Sequence, residues 1–97
     1  VVPERAQVGV GDAREVAELA QRVGFSVTVA DRRPGWLTPS RFSAGIRLVQ
    51  CASDAVAEHV HLTPSDFAVV MTHDFADDTR AVGALLATEV GYIGVLG

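Results

Sequence analysis

Residues 6–31 read AQVGVGDAREVAELAQRVGFSVTVAD, in which a short strand, a helical stretch and a second strand follow one another. Residues 25–30 are rich in β-branched side chains and are followed by Asp31 and the loop 32–35. Gly24 is suited to end the preceding helix. The apolar residues between the strands recur three and four positions apart, the spacing of one buried helix face: Ala13, Val16, Ala17, Leu19, Ala20 and Val23. We therefore predict a strand at 6–8, a helix at 12–23 and a strand at 25–30.

Gly9-Val10-Gly11 stands where the first predicted strand meets the helix. Glycines at such a point permit a tight turn and a close approach of phosphate to the backbone at the helix N-terminus. The third small residue of the G-x-G-x-x-G/A pattern would fall at Arg14, and Ala13 lies one place earlier. The pattern leaves two interpretations open: a phosphate or nucleotide site at Gly9-Val10-Gly11, or a structural tight turn.

The end of the second strand carries charged residues. Asp31 lies about 20 residues beyond the glycines, where an acidic side chain can bind the adenosine ribose. Arg32 and Arg33 follow directly and could receive a 2′-phosphate or another anion. The alternative is a solvated charged turn, which we favour slightly for the arginines.

The remainder of the chain continues the alternation. Strands are predicted at 46–49, 67–71 and 91–95, with a short helix capped by Ser53 and a longer helix at 77–89. The core face of the longer helix is predicted to hold Ala81, Val82, Leu85 and Leu86.

Five strands joined through helices predict an α/β fold with a parallel sheet. Right-handed crossovers favour the strand order 3-2-1-4-5, the Rossmann-like three-layer sandwich. Ligands of such sheets bind where the strand order reverses, between the first and fourth strands. We expect the Gly9-Gly11 turn and the segment Thr72-His73-Asp74 to face one crevice.

Thr72-His73-Asp74 places a hydroxyl, an imidazole and a carboxylate at the carboxyl end of the 67–71 strand. Chemistry in α/β folds is delivered from this position. The plainer alternative is a helix cap at Asp74 and a surface histidine at His73. Both interpretations stay open on the sequence alone.

Composition limits the classes of protein that fit. The 97 residues are 48% hydrophobic and 6% aromatic, which suits an aliphatic core around a buried parallel sheet. The net charge of -4 and the lack of a basic stripe argue against nucleic-acid binding. We expect one domain over 1–97, within a longer chain. Neither a signal peptide nor a membrane span is evident, so we expect a soluble cytoplasmic protein.

Other residues with chemical potential receive simpler interpretations. Cys51 is the single cysteine and is expected to be a small buried hydrophobe. His59 and His61 lack a nearby third ligand, so no metal site is predicted. Trp36 and Phe42 are expected to pack the loop onto the sheet, with ligand stacking by Trp36 as an alternative.

Two long stretches carry a resemblance to a known family. Residues 68–78, AVVMTHDFADD, and 91–97, GYIGVLG, resemble the C-terminal Rossmann domain of the XdhC/CoxI family. Residues 9–14 and 24–34 look like the first strand-helix-strand unit of the same family. Members usually have one more residue between G-x-G and the helix, and a more apolar first strand.

This resemblance implies an accessory role without turnover. Such proteins are similar to chaperones that bind molybdenum cofactor, aid its sulfuration and hand it to a xanthine dehydrogenase-like enzyme. The implied cofactor-binding residues are Gly9, Gly11, Asp12, Ala13, Asp31, Arg32, Thr72, His73, Asp74 and Gly94.

Two other functions remain open. Asp31 beyond the glycines also fits an NAD(P)-binding module of an oxidoreductase or nucleotide sensor. The shortened turn fits a domain that binds no small molecule and serves contacts with a partner or in a homodimer.

Overall fold

The computed structural model describes residues 6–11 and 14–96. Strands and helices alternate along the chain, as predicted for an α/β fold. The elements are β1 (Ala6–Gly11), α1 (Arg14–Arg22), β2 (Ser26–Asp31), β3 (Arg47–Gln50), a single 3-10 turn (Val56–Glu58), β4 (Phe67–Met71), α2 (Phe75–Leu86) and β5 (Tyr92–Val95).

The strands form one sheet in the order β3-β2-β1-β4-β5. Every neighbouring pair runs parallel, with Val8 opposite Thr28 on one side of β1 and opposite Ala68 on the other. The carboxyl ends of all strands therefore lie at one edge. β1 and β4 are adjacent at the centre, where the strand order reverses.

Two hydrophobic clusters cover opposite faces of the sheet, because successive side chains of a strand point to opposite sides. Val27 and Val29 of β2 pack with Ala17 and Ala20 of α1, in a cluster that Phe42 and Ile46 complete. The other cluster joins the sheet to α2 and to the segment after β3: Ala30, Val56, Val60, Leu62, Ala68, Val70, Ala81 and Leu85. The domain therefore has three layers.

The glycine motif differs from its prediction. Gly9 and Gly11 lie inside β1, where they pair with Val29 and Met71 respectively, so the turn does not occur at 9–11. Parallel neighbours on both sides keep β1 extended to Gly11 despite its glycines. Asp12 and Ala13, the other residues of the predicted phosphate site, lie outside the described residues.

The helices are also displaced from their predicted positions. α2 begins at Phe75 rather than at residue 77, because the Asp74 side chain accepts a hydrogen bond from the Asp77 nitrogen at 3.0 Å and caps the helix. Ala81 and Leu85 are buried as predicted, but Leu86 is 70% exposed. Leu19 of α1 and Val23, which follows the end of that helix, are likewise exposed. A nine-residue helix over a narrow sheet buries only its central small residues.

The helix predicted after Ser53 is a single 3-10 turn without a side-chain cap. Ser53 is instead buried, and its hydroxyl donates to Asp77 at 3.5 Å. Within residues 6–11 and 14–96, no helix is long and apolar enough to cross a membrane.

Candidate functional site

A small cleft lies at the carboxyl edge of the sheet, where β2 ends and β4 passes into α2. Its volume is about 70 Å³, which is room for a few water molecules. We call it the Asp31 cleft; it is lined by Asp31, Arg32, Arg33, Ser53, Thr72, Asp74 and Asp77. The structure thus brings together five charged residues from two separate parts of the sequence, with Ser53 from a third.

Asp31 is buried at the end of β2, and its carboxylate is already bound. Arg33 donates to it from its backbone nitrogen at 2.8 Å and from its guanidinium Nη2 at 2.7 Å. The guanidinium Nε also donates, to Oδ1 at 3.0 Å, so that Nε and Nη2 together form the two-pronged geometry that makes arginine-carboxylate pairs strong. The Asp31 carboxylate is 3% exposed, so a ribose hydroxyl would have to displace Arg33 to reach it.

Asp77 is the second buried acid of the cleft. Arg32 Nε donates to its Oδ2 at 2.7 Å, and Arg80 donates to its other oxygen from one turn further along α2. Burial would raise the pKa of Asp77, but the hydrogen bonds and charges of Arg32 and Arg80 outweigh burial and hold it below its ordinary value. Asp77 is therefore charged at neutral pH and binds Arg32.

Thr72 and Asp74 build the turn between β4 and α2. The buried Asp78 accepts hydrogen bonds from the Thr72 nitrogen at 2.9 Å and from the Thr72 hydroxyl at 2.5 Å. The Asp74 nitrogen donates to the Thr72 hydroxyl at 3.2 Å. Asp74 caps the helix, as the plainer alternative stated. These polar groups satisfy one another, and so they fix the turn at the sheet edge.

His73 lies in the same turn with a φ of 64°, in the left-handed region. Its side chain is exposed, and it lines neither the Asp31 cleft nor the larger groove on the α1 side of the same edge. Left-handed backbone outside glycine is uncommon, although histidine tolerates it better than most residues. The chain bends at this residue, between the end of β4 and the start of α2.

A larger groove opens on the α1 side of the same edge, with a volume of about 330 Å³. This is the size of a small-ligand site. We call it the Trp36 groove; it is lined by Arg14, Glu15, Val16, Trp36, Arg41 and Met71. Among its residues only Trp36 had been singled out from sequence as a ligand contact.

Trp36 is held between arginines rather than exposed for stacking. The guanidinium carbons of Arg33 and Arg41 lie 4.1 and 4.3 Å from its ring centroid. Both are cation-π contacts. The indole nitrogen is buried and finds no hydrogen-bond acceptor among the described residues. The aromatic ring therefore links the Asp31 cleft to the groove through Arg33.

The predicted site residues are thus only partly brought together. Asp31, Arg32, Thr72 and Asp74 share the Asp31 cleft. Gly94 lies within β5 opposite Val69, and it lines neither cavity. Asp12 and Ala13 fall outside the described residues.

The sequence analysis did not predict several of the residues that lie at the carboxyl edge of the sheet. The sequence singled out neither Asp77 nor Arg80 of α2, and Arg41 stood in a loop without a motif. Arg14 carried a signal, since it occupies the position where the glycine pattern expects a third small residue.

The remaining reactive side chains show no arrangement for catalysis or metal binding among the described residues. The Cys51 thiol is partly buried, and burial followed by the charges of Glu58, Asp31 and Asp54 raises its pKa. A raised pKa keeps the thiol protonated, which suits the predicted packing role. Among the residues that the structure describes, no three histidine, cysteine or acidic side chains are grouped to hold a metal ion.

Comparison with known proteins connects this architecture to one family. Residues 8–97 match the family model described as the XdhC Rossmann domain. The chain is 35% identical over 82 residues to a Bacillus subtilis protein that is named as a probable component of xanthine dehydrogenase. That match covers 84% of this chain and 25% of the Bacillus subtilis protein.

A solved structure agrees. The crystal structure of a xanthine dehydrogenase from Bacillus halodurans superposes with a TM-score of 0.86 at 28% identity, over 98% of this chain and 29% of that one. The chain therefore spans between a quarter and a third of the length of these relatives. With its parallel sheet and its match across nearly all described residues, this chain belongs to the XdhC Rossmann-domain family.

Proposed function

We propose that this domain is the cofactor-binding part of an accessory protein that binds molybdenum cofactor, aids its sulfuration and delivers it to a xanthine dehydrogenase-like enzyme in the cytoplasm. The observation that carries the proposal is a pair of cavities at the carboxyl edge of the sheet, in a domain of the XdhC family. Two cavities open there, beside the central strands where α/β domains bind their ligands.

The residues at this edge fit binding better than catalysis. Asp31 and Asp77 are buried and held by Arg33 and Arg32, so neither is placed as a free general base. A bound cofactor would supply its own redox-active metal and an anionic phosphate tail. The chain would hold and orient that tail, and the cationic Trp36 groove suits it better than the acidic Asp31 cleft.

The test uses the full-length protein and molybdenum cofactor. We expect calorimetry to show saturable uptake, and a xanthine dehydrogenase-like partner to gain activity when the loaded protein is added. Arg41→Ala should weaken both, whereas Arg22→Ala, an exposed arginine at the other end of α1, should weaken neither. Full activation of the partner by a protein that takes up no cofactor would contradict the proposal.

NAD(P) binding is the second candidate, supported by the position of Asp31 at the end of β2. The Arg33 bond to that carboxylate counts against it, and pairing of Arg32 with Asp77 counts against a 2′-phosphate contact there. A rise in melting temperature with NAD that Asp31→Ala abolishes would favour this candidate. Homodimer formation likewise stays a prediction.

A further inference from the structure

We propose that the Trp36 groove binds the phosphate of a phosphorylated ligand, with the guanidinium groups of Arg14 and Arg41 as its partners. This inference rests on the proposed cofactor-binding function and names the part of the site that takes the charged group. It also moves that part away from Asp31 and Arg32, where the sequence had suggested it.

The charges of the two cavities differ in sign. The Asp31 cleft holds two arginines against three aspartates, and its arginines bond to buried Asp31 and Asp77. The Trp36 groove holds two arginines against one glutamate. Neither Arg14 nor Arg41 forms an ion pair with a residue that the structure describes. In a chain with a net charge of -4, the groove thus carries a local excess of one positive charge.

Arg41 is also held in place. A chain of contacts runs from the buried Asp31 through Arg33 to the Trp36 ring, and from the ring to Arg41. An arginine that packs on an aromatic ring keeps all its N–H donors for another acceptor. Because its position is fixed before a ligand arrives, Arg41 loses less entropy on binding than a freely rotating side chain would.

Size and hydrogen bonding agree with an anion in this groove. The Asp31 cleft is small and its arginines are already paired with buried aspartates, whereas the 330 Å³ of the Trp36 groove holds a phosphate and part of the group it is attached to. Arginine forks match phosphate oxygens in pairs.

The experiment titrates the full-length protein with pyrophosphate, and separately with ADP, by calorimetry at low salt. We expect a saturable isotherm that weakens as sodium chloride rises, since the contacts are between exposed charges. Arg14→Ala and Arg41→Ala should each weaken binding by roughly tenfold, the loss of one charge-assisted contact. Both side chains are exposed, so the variants should fold, which circular dichroism checks.

Two controls locate the site. Arg22→Ala removes an exposed arginine of the same helix outside the groove and should change affinity by less than about twofold. Pyrophosphate should change the tryptophan fluorescence of the wild type, and Trp36→Phe should remove that component.

The outcomes separate clearly. Tighter binding of ADP than of pyrophosphate would identify a nucleotide-like ester as the ligand, and equal binding would identify the phosphate alone; either supports the groove. Absence of saturable heat at millimolar pyrophosphate would overturn the inference, as would unchanged affinity in both arginine variants. Neither measurement uses molybdenum cofactor or a partner enzyme, so failure here is distinct from failure of the accessory role.

Discussion

Asp31 and Arg33 bind each other at the end of β2, with Asp31 Oδ2 2.7 Å from Arg33 Nη2 and Asp31 Oδ1 2.8 Å from the Arg33 nitrogen. Asp31, the acid that a dinucleotide site would use to bind ribose, is therefore already bonded to Arg33. The guanidinium of Arg33 in turn packs on the Trp36 ring. Asp31 acts through the geometry of the loop rather than by meeting a ligand.

Asp31→Asn tests this relationship. Because Asp31 holds Arg33, and Arg33 supports the Trp36 ring on which Arg41 packs, the substitution should lower pyrophosphate affinity by about twofold. A ribose-binding role predicts instead that NAD affinity falls. Calorimetry with both ligands distinguishes these results. Asp54→Asn removes an equal charge at an exposed position outside both cavities and should leave both affinities unchanged.

Asp77→Asn should lower the free energy of unfolding at pH 7 by about 1–2 kcal/mol, since hydrogen bonds to two arginines weaken, and those arginines are partly screened by water. The pKa of Asp77 is lowered in the folded state. Its stabilising contribution is therefore complete above the ordinary aspartate pKa of about 3.9 and is lost as pH falls through the folded value.

Thermal unfolding of wild type and Asp77→Asn from pH 7 to pH 2.5 checks this prediction. The difference in melting temperature should hold down to about pH 5 and shrink below about pH 4. A gap that stays constant to the lowest pH would show that Asp77 stabilises by packing and not by its charge.

Leu85→Ala should destabilise the domain by about 2–5 kcal/mol, the cost of emptying a packed core position. Leu85 is 1% exposed, on the face of α2 that meets β4. Leu86 follows it in the same helix and is 70% exposed, so Leu86→Ala should change stability by less than about 0.5 kcal/mol. Urea unfolding measures both, and equal losses would contradict the assignment of the core face.

Gly91→Ala and Gly83→Ala form a matched pair with opposite signs. A Cβ at Gly91 would collide with the backbone oxygen of Pro64, and displacement would break the Gly91 hydrogen bond to the Asp66 carbonyl. A Cβ at Gly83 meets nothing within 4 Å and lies inside α2. Gly83→Ala should raise the free energy of unfolding by about 0.5–1 kcal/mol.

Gly91→Ala should lower the melting temperature, and urea unfolding of the pair shows the difference directly. Stabilisation by both alanines would mean that the loop after α2 does not approach Pro64 as the structure has it.

The periodicity of the sequence determined the α/β class, since it reports which side chains must be buried. The bounds of the strand 67–71 were predicted to the residue, because a continuous apolar run is typical of a parallel strand that is buried on both faces. Motif similarity likewise determined the family. Helix ends were less predictable, as the capping by Asp74 depends on one side-chain bond.

Tertiary structure alone decided what the charged residues do. Nothing in the sequence says that Arg33 binds Asp31, that Arg32 reaches Asp77 across 45 positions, or that Arg14 and Arg41 share a groove. Each pairing depends on which strand ends lie side by side, and that follows from packing of the whole sheet. The glycines at 9 and 11 likewise suggested a turn locally, but pairing with β2 and β4 extended them into β1.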